Sequence, residues 1–429
     1  MFILYFSFSF SFILLTNQLI SQQFSIVDKL LNDNLNLQYS GNVVTMLLHN
    51  DSLVYYKALG EFDSTTTKGI ASLTKTFSGL VILKLVQENN INLDDSIGKF
   101  IPYATQMGKG SSTIRQNFSH TAGWDGITGN TYLTDPDLSL EQCVDSIIKY
   151  DPIIYSPGTM FKYTGVSMQV AARAAEVASG EKWNELWTEK IKKPLGLTST
   201  QFGFINNPRV AGGLVSSPSD IIRLALFILN NGKNNNGVQV IDSLWMQELW
   251  KDQTNKAPVI AAPYPFHPLY NNPYNSDTIR YGIGTWLDIY NPTTKYQEQI
   301  SGAGAFGSIM WINRCNNTCG VIFTYSNYSK VWNTSFQIID EFNKIYPNQC
   351  YKSHVNEFLS EELVIIPNPA SDYLIISGFE GNAEIINTLS KSLWHGIIES
   401  GKRIDISHLP VGLYFIKIGN YSQKFQVVR

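Results

Sequence analysis

The sequence predicts a mixed α/β domain of the α+β type, an antiparallel sheet flanked by helices, followed by a small C-terminal all-β sandwich. Two observations predict the first domain: strand-like segments lie near both ends of residues 22–347, and helical patterns fill the middle. This order fits one antiparallel sheet that both ends of the chain complete. The third observation predicts the sandwich. Residues 363–429 hold five short strand-like segments separated by turn residues, with no helical pattern between them.

The elements of the first domain follow from the spacing of apolar residues. Early strands are predicted at residues 43–48 and 53–56, with Asn50 and Asp51 in the turn between them. Apolar residues at helical spacing predict helices over residues 70–86, 168–178, 183–191 and 221–229. Late strands are expected around residues 279–287, 309–312 and 320–325, before a closing helix over residues 336–345.

The composition is that of a globular protein with room for more than one domain. Of the 429 residues, 44% are hydrophobic and 16% are charged, which excludes a disordered chain. Low charge combined with many Asn, Ser, Thr and Tyr residues favours a secreted protein. The net charge of -3 and the lack of a block of like charges give no reason to expect a nucleic-acid partner.

Residues 1–21 are predicted to be a signal peptide. Residues 2–15 are apolar, and the first basic residue is Lys29, so the chain lacks the usual basic start of such a peptide. The apolar run is too short for a comfortable membrane span, and Ser21 before Gln22 fits a cleavage point. A cleaved signal leaves no transmembrane segment in the mature protein; the alternative is an uncleaved anchor. Further along the chain, the polar residues 348–362 are predicted to be a linker.

Four cysteines are present, at positions 143, 315, 319 and 350. Cys315 and Cys319 lie between two apolar runs, which predicts a hairpin with both cysteines near its tip. In an oxidising compartment these two cysteines could form a disulfide, and the alternative is two free thiols. A zinc site is not expected, because no second Cys or His pair lies nearby at ligand spacing.

Ser72 and Lys75 are the strongest candidates for catalytic residues. They form a Ser-x-x-Lys tetrad at the start of the predicted helix over residues 70–86. Residues three apart on a helix share one face, so the lysine can lie beside the serine hydroxyl. An amine held partly out of water loses its charge more easily and can accept the serine proton. The tetrad therefore indicates acyl transfer through a covalent serine intermediate. The alternative is a capping serine followed by a solvated lysine.

Four other segments each have both a structural and a functional interpretation. Residues 302–307 match G-x-G-x-x-G, but no βαβ pattern surrounds them, so a glycine-dense turn near a ligand is preferred to dinucleotide binding. His120 lies in a sharp turn and is expected to be structural, with proton transfer as the alternative. Tyr163 precedes a helix and is either a packing residue or, beside a lysine, a general base. The loop over residues 258–273 is either an ordinary surface loop or a lid over a pocket. No metal or organic cofactor is expected.

Taken together, these segments resemble the β-lactamase-related serine hydrolases, which include class C β-lactamases, D-alanyl-D-alanine carboxypeptidases and esterases. The sequence Ile70 to Thr76 looks like the family's nucleophile motif. Further motifs follow in the family's order, and the likeness covers most of residues 40–325. These are residues 93–102, residues 113–123 with His120, residues 155–165 with Tyr163, Pro194 to Leu197, and Ala211 to Leu214.

The resemblance implies a β-lactamase/transpeptidase-like fold and a role for each site residue. Ser72 is the implied nucleophile, and Lys75 and Tyr163 form the implied base system. The implied oxyanion hole consists of the backbone N–H groups of Ser72 and Ala305. The remaining implied substrate-binding positions are Gly304, Gly165 and His120.

Two positions depart from the family pattern. Gly165 stands where the family has the Asn of its Tyr-x-Asn motif, and residues 302–304 stand where a Lys or His usually opens the third motif. These departures favour ester or amide hydrolysis of a small-molecule or peptide substrate, since ester hydrolysis needs no carboxylate anchor. The alternatives are a non-catalytic ligand-binding protein on the same fold and a true β-lactamase.

The C-terminal segment resembles the sorting domain of type IX secretion. The likeness is carried by residues 367–372, 404–407 and 409–414 and by the ending Lys424 to Arg429. It implies a partner, the type IX secretion machinery. It also implies export through the periplasm of a Gram-negative bacterium to the medium or the cell surface. The alternative is a carbohydrate- or protein-binding sandwich.

Overall fold

The computed structural model describes residues 23–263, 280–291, 295–350, 364–377, 381–388, 391–399, 401–418 and 421–429. The chain divides into two compact units between Gln349 and Cys350. Three predicted segments lie wholly or partly outside the described residues. They are the signal peptide, residues 351–362 of the linker, and residues 264–273 of the loop predicted over residues 258–273. The predicted bounds of these segments stay predictions.

The first unit is built on a six-stranded antiparallel sheet. In spatial order its strands are Ser52–Leu59, Val43–His49, Thr318–Thr324, Ile309–Asn313, Tyr296–Ala303 and Trp286–Asn291. The first and last parts of the unit therefore meet inside one sheet, where Val43 pairs with Thr324 and His49 with Thr318. The predicted fold class, an antiparallel sheet completed by both ends of the chain, is confirmed.

The two faces of this sheet pack against different helices. Val43 and Leu47 belong to a core shared with the N-terminal helix Ser25–Asn34 and the C-terminal helix Tyr328–Ile345. Val44 belongs to the larger core formed with the helical region. Successive strand side chains point to opposite faces, so one apolar strand contributes to both cores.

The remaining helices make up the helical region of the unit. They are Thr74–Gln87, Pro102–Gln106, Ile114–Phe118, Gly129–Leu133, Leu140–Tyr150, Val166–Ser179, Trp183–Trp187, Lys193–Leu195, Pro218–Leu229 and Ser243–Met246. Single turns of 3₁₀ helix span Ala71–Leu73, Ile97–Lys99 and Gln247–Leu249, and a π turn spans Thr188–Lys192. Small sheets join Lys68–Gly69, Leu214–Ser216 and Gln201–Phe202, and Phe161–Lys162 to Val259–Ala261.

The helix Thr74–Gln87, called the serine helix below, is the centre of the helical region. Every residue in it except Lys84 and Gln87 is buried. Burial on all sides places this helix in the interior of the molecule, although its first turn carries polar side chains. The first turn of the serine helix is consequently held rigidly by the core.

Several predicted elements have different bounds in the structure. The closing helix begins at Tyr328 rather than at residue 336, and the helix Ser25–Asn34 and the strand Tyr296–Ala303 were not predicted. The strand expected around residues 279–287 is Trp286–Asn291. The predicted turn at Asn50 and Asp51 has positive φ values of 48° and 63°, as a two-residue hairpin turn requires.

Neither interpretation of Cys315 and Cys319 is right. Cys319 is a free thiol that is buried in the main core. It lies on the strand Thr318–Thr324, where it pairs with Ile312 of the neighbouring strand. Cys315 lies in the turn of the predicted hairpin and is disulfide-bonded, as is Cys350. The backbone carbonyl of Cys315 accepts a hydrogen bond from the backbone N–H of Gln349 at 2.7 Å. Cys319 is therefore enclosed by the sheet and does not pair with Cys315.

The second unit consists of two antiparallel sheets around its own apolar core. One sheet joins Val364–Ile366, Tyr373–Ser377 and Arg403–Asp405, and the other joins Ser392–Ile398, Gly381–Asn387, Gly412–Ile418 and Tyr421–Val427. The predicted all-β sandwich is confirmed. Across both units, the described residues contain no helix whose length and apolar character would let it cross a bilayer.

Candidate active site

Ser72 lies in the 3₁₀ turn that leads into the serine helix. The residue before it, Ala71, has a positive φ of 45°, which is rare for a residue with a Cβ. This turn places Ser72 at the edge of a cleft while Leu73 is buried. The first N–H groups of a helix have no partner within the helix and carry positive potential, which favours negative charge beside Ser72.

Lys75 lies against Ser72, as the spacing of the tetrad predicts. Its Nζ is 3.0 Å from Ser72 Oγ, and it donates a hydrogen bond of 2.8 Å to the carbonyl oxygen of Ala211. The Lys75 side chain is only 3% exposed, so the alternative of a solvated lysine does not fit. These contacts orient one lone pair or proton of the amine toward the serine hydroxyl.

Burial, followed by the nearby charge of Arg209, lowers the pKa of Lys75 to about 7. The charged form is disfavoured because the low-dielectric surroundings solvate it poorly. Near neutral pH a large fraction of Lys75 is therefore uncharged. An uncharged amine can accept the hydroxyl proton of Ser72.

Tyr163 forms the next part of the cleft wall. The Nζ of Lys75 lies 4.5 Å from the centre of the Tyr163 ring. The ring also stacks on Trp286, with 5.3 Å between the centroids and 14° between the planes. The structure thus brings Ser72, Lys75 and Tyr163 together at one cleft, with the tyrosine fixed by packing.

His120 lies behind Tyr163 and is not one of the residues that line the cleft. Its ring is 4.3 Å from the Tyr163 ring, and its Nδ1 accepts the backbone N–H of Thr164 at 3.3 Å. Burial, followed by the charge of Lys75, lowers the pKa of His120 well below its usual value. His120 is thus neutral, and its placement fits the structural role rather than contact with a substrate.

Ala305 lines the cleft, whereas Gly304, which was expected to bind substrate, is buried and is not one of the residues that line the cleft. A Cβ at Gly304 would lie 2.1 Å from the carbonyl oxygen of Ile70, so only glycine allows this close approach. The approach brings the end of the strand Tyr296–Ala303 against the turn that carries Ser72. Ala305 is exposed and lines the cleft together with Ser72.

The cleft has a volume of about 320 Å³. Gly165 lines it at the start of the helix Val166–Ser179, where a Cβ would meet Leu133 at 3.1 Å and Ala211 at 3.4 Å. A larger side chain at this position would need its neighbours to move. The missing asparagine therefore leaves space in the cleft that Leu133 partly fills.

Sequence reasoning did not find several polar residues of the cleft, among them Arg209 and Asn130. Arg209 lies two residues before Ala211, whose carbonyl holds Lys75, and Asn130 lies in the short helix Gly129–Leu133. Neither residue stands in a recognisable motif. For Arg209 the available signal was its position two residues before the Ala-Gly-Gly-Leu segment, which already carried part of the family likeness.

The fold is an antiparallel sheet flanked by helices, and a Ser-x-x-Lys pair lies at the start of its buried central helix. This is the arrangement expected of a serine hydrolase with the β-lactamase fold. Residues 38–339 match the family model described as Beta-lactamase. This match covers more than half of the chain. The chain belongs to the beta-lactamase family, and the predicted resemblance is confirmed.

Individual relatives agree with this assignment. A solved structure from Bacteroides dorei DSM 17855, named a putative beta-lactamase, has a TM-score of 0.65 and 29% identity, covering 74% of this chain and 99% of that one. Protein flp of Staphylococcus aureus strain N315 is 28% identical over 193 residues, 42% of this chain and 39% of flp. A putative D-alanyl-D-alanine carboxypeptidase of Escherichia coli K12 is 26% identical over 254 residues, 52% of this chain and 55% of that protein. The chain thus spans between two fifths and just over half of these curated relatives.

Residues 364–428 match the family model of the secretion system C-terminal sorting domain. The predicted type IX sorting domain is confirmed. The protein is therefore directed to secretion or to the cell surface, and the secretion machinery is its implied partner.

Proposed function

We propose that the protein is a secreted serine hydrolase that cleaves an ester or amide through an acyl-enzyme at Ser72. The observation that carries this proposal is the contact of 3.0 Å between Lys75 Nζ and Ser72 Oγ. A buried amine with a pKa of about 7 in contact with a hydroxyl at a cleft is what activates a serine nucleophile.

The reaction follows from this contact. As Ser72 Oγ attacks the carbonyl carbon of the substrate, its proton passes to the uncharged Nζ of Lys75. The carbonyl oxygen becomes an oxyanion, and we propose that the backbone N–H groups of Ser72 and Ala305 stabilise it. When the tetrahedral intermediate collapses, the bond to the leaving group breaks, and the leaving group takes a proton from the Lys75 and Tyr163 pair.

The second half of the reaction uses the same groups. Water attacks the acyl-enzyme, its proton passes to Lys75, and the bond between the acyl carbon and Ser72 Oγ breaks. Ser72 recovers its proton and the acid is released. Tyr163 is proposed to share the proton with Lys75, because the two side chains are in contact.

The substrate class follows from what the cleft contains. Gly165 offers no side-chain amide to a substrate, and no cation lies among residues 302–304. Both features support ester or simple amide hydrolysis. The names of the Bacteroides dorei and Escherichia coli relatives leave β-lactam or peptide hydrolysis as second candidates.

The test is labelling with a fluorophosphonate probe, read as the intact mass of the protein. We expect one adduct on the native protein and none on Ser72→Ala. Ser156→Ala is the matched control, since Ser156 is exposed and lies outside the cleft. This control should label like the native protein.

Substrate panels then separate the candidates. Turnover of short-chain 4-nitrophenyl esters with little hydrolysis of nitrocefin would support the esterase assignment, and rapid nitrocefin hydrolysis would support a β-lactamase. A folded protein that forms no adduct and binds a peptide or glycan without turnover would contradict the proposal in favour of a binding protein.

A further inference from the structure

Arg209 brings a positive charge into the cleft from a segment that carries none of the proposed catalytic residues. It lines the same cleft as Ser72 and Lys75. Its backbone is fixed, because its carbonyl accepts the N–H groups of Gly212 at 2.9 Å and Gly213 at 2.7 Å. The guanidinium is close enough to Lys75 for its charge to lower the pKa of that lysine.

The Arg209 guanidinium has no acidic partner among the residues that the structure describes. The ion pairs of the described residues do not include it, and its Nε is buried without a hydrogen-bond acceptor. By contrast, Arg115 contacts two carboxylates and Arg173 contacts two others. A partly buried cation without a counter-charge costs free energy that a bound anion would recover.

We propose that Arg209 is the anion-binding residue of the cleft and that the protein prefers substrates with a carboxylate close to the scissile bond. This inference rests on the proposed function, and it changes the interpretation of the cleft. The cation that residues 302–304 lack is supplied by a different segment that lines the same cleft as Ala305. A guanidinium suits this task, because its planar donors match the two oxygens of a carboxylate.

The polar neighbours of Arg209 are consistent with this role. Gln169 also lines the cleft, but its amide is used within the protein, because it donates to Asn207 and to the Pro208 carbonyl and accepts from Val210 N–H. These bonds hold the segment that ends in Arg209. The guanidinium is therefore presented to the cleft by a rigid support and is not needed for that support.

The test compares substrates that differ only in charge. 4-Acetoxybenzoate and 4-acetoxybenzamide place the difference on the leaving group, and the 4-nitrophenyl monoester of adipic acid and its terminal amide place it on the acyl group. For each pair, the ratio of kcat/KM for the anion to kcat/KM for the amide is measured at one pH. An effect of Arg209 on Lys75 acts on both members of a pair and cancels in the ratio.

For at least one pair we expect the native protein to prefer the anion, and Arg209→Gln to reduce that ratio by about tenfold to a hundredfold, as for a hydrogen bond to a charged group. Arg209→Lys should keep part of the preference. Lys233→Gln removes the same charge from an exposed residue of a separate depression and should leave the ratio unchanged. Ratios that Arg209→Gln changes less than twofold for both pairs would overturn the inference, although ester hydrolysis itself would stand.

A binding measurement covers the case in which the native protein hydrolyses none of these esters, which would count against the proposed function. Ser72→Ala is titrated with the same four compounds in a calorimeter, with and without Arg209→Gln. Tighter binding of an anion than of its amide, lost in the double variant, would support anion binding by Arg209. Equal binding of anion and amide would contradict it.

Discussion

Lys75 and Asp288 are two buried ionisable side chains in different regions of the first unit. Burial lowers the pKa of Lys75 from 10.5 to about 7 and raises the pKa of Asp288 from 3.8 to about 7. Each also lies 3.0 Å from a serine hydroxyl, Lys75 from Ser72 and Asp288 from Ser301. The same desolvation acts on both, with opposite signs, because it disfavours whichever form is charged.

What differs is the access of a substrate to the serine. Ser72 lines the cleft, whereas Ser301 is fully buried in the strand Tyr296–Ala303. The carboxyl of Asp288 also accepts a hydrogen bond of 3.3 Å from Gln299. A pKa near neutrality therefore does not by itself identify a catalytic group. An open cleft and a partner that can react are needed as well.

Lys75→Met should have the largest effect on the cleft side of this comparison. Without the base we expect kcat/KM to fall by about a thousandfold, within the usual range for loss of a general base. Activity assays on folded protein measure this. Activity within about tenfold of the native value would show that the serine is activated by another group.

The same variant should be more stable than the native protein at pH 6. The pKa of Lys75 is lower in the folded protein than in the unfolded chain. The native protein therefore has its full stability above pH 10.5 and loses stability as the pH falls from there through about 7. Replacing Lys75 with methionine removes this loss of stability, which is at most about 5 kcal/mol. The lost hydrogen bond to Ala211 reduces the gain by about 1 kcal/mol. Urea unfolding at pH 6 and pH 9 measures the difference, and a gain that does not shrink at pH 9 would contradict desolvation of the Lys75 ammonium as its cause.

Tyr163→Phe sharpens the comparison by separating the phenol from the amine. The ring would keep its stacking on Trp286 and lose only the hydroxyl. We expect kcat/KM to fall by about 10- to 100-fold, because Lys75 would then handle the protons alone. Tyr281→Phe is the control, since Tyr281 packs edge-on against Trp286 but does not line the cleft; a loss as large in this control would point to packing.

The native pH profile should show a single acid limb that belongs to Lys75. Because the uncharged amine is the active form, kcat/KM should increase about tenfold per pH unit below pH 7 and level off above it. Measurement of ester hydrolysis from pH 5 to pH 9 tests this. If the acid limb of the kcat/KM profile shifted to a different pH in the Asp288→Asn variant, the regions of Lys75 and Asp288 would be coupled.

Asp288→Asn should have the smallest effect on activity and a visible effect on stability. The raised pKa of Asp288, to which burial contributes most and Asp340 adds, means that stability is fully present below pH 3.8 and is lost as the pH rises through about 7. The variant should therefore gain stability at pH 8, by at most about 4 kcal/mol, and gain less than half as much at pH 5. Thermal unfolding at both pH values would show this, and an equal shift at both would argue against titration of Asp288.

The sequence was most informative where the contacts are local. Ser72 and Lys75 are three positions apart, so helical geometry alone brings them together, and the distance of 3.0 Å agrees with that expectation. Arg209 joins them only because the fold returns a distant segment to the cleft. Its importance depends on the lack of a nearby carboxylate among the described residues, which no spacing pattern records.

The missed strand Tyr296–Ala303 shows a second limit. Its residues Gln297, Glu298 and Gln299 are all buried, so the strand lacks the apolar pattern that predicts burial. The buried amides are satisfied by tertiary partners, as when Asn343 donates to Gln299 Oε1 at 2.8 Å. A polar strand of this kind can be recognised only when its partners are known.

The pairing of Val43–His49 with Thr318–Thr324 has a consequence for the order in which the chain folds. The two partners are about 280 positions apart, so the loop between them must be closed before the sheet is complete. Until the last strands have paired, the early hairpin has one edge open to chaperones, proteases or another copy of the chain. The nucleophile is therefore made early but becomes rigid late, when nearly the whole unit is available.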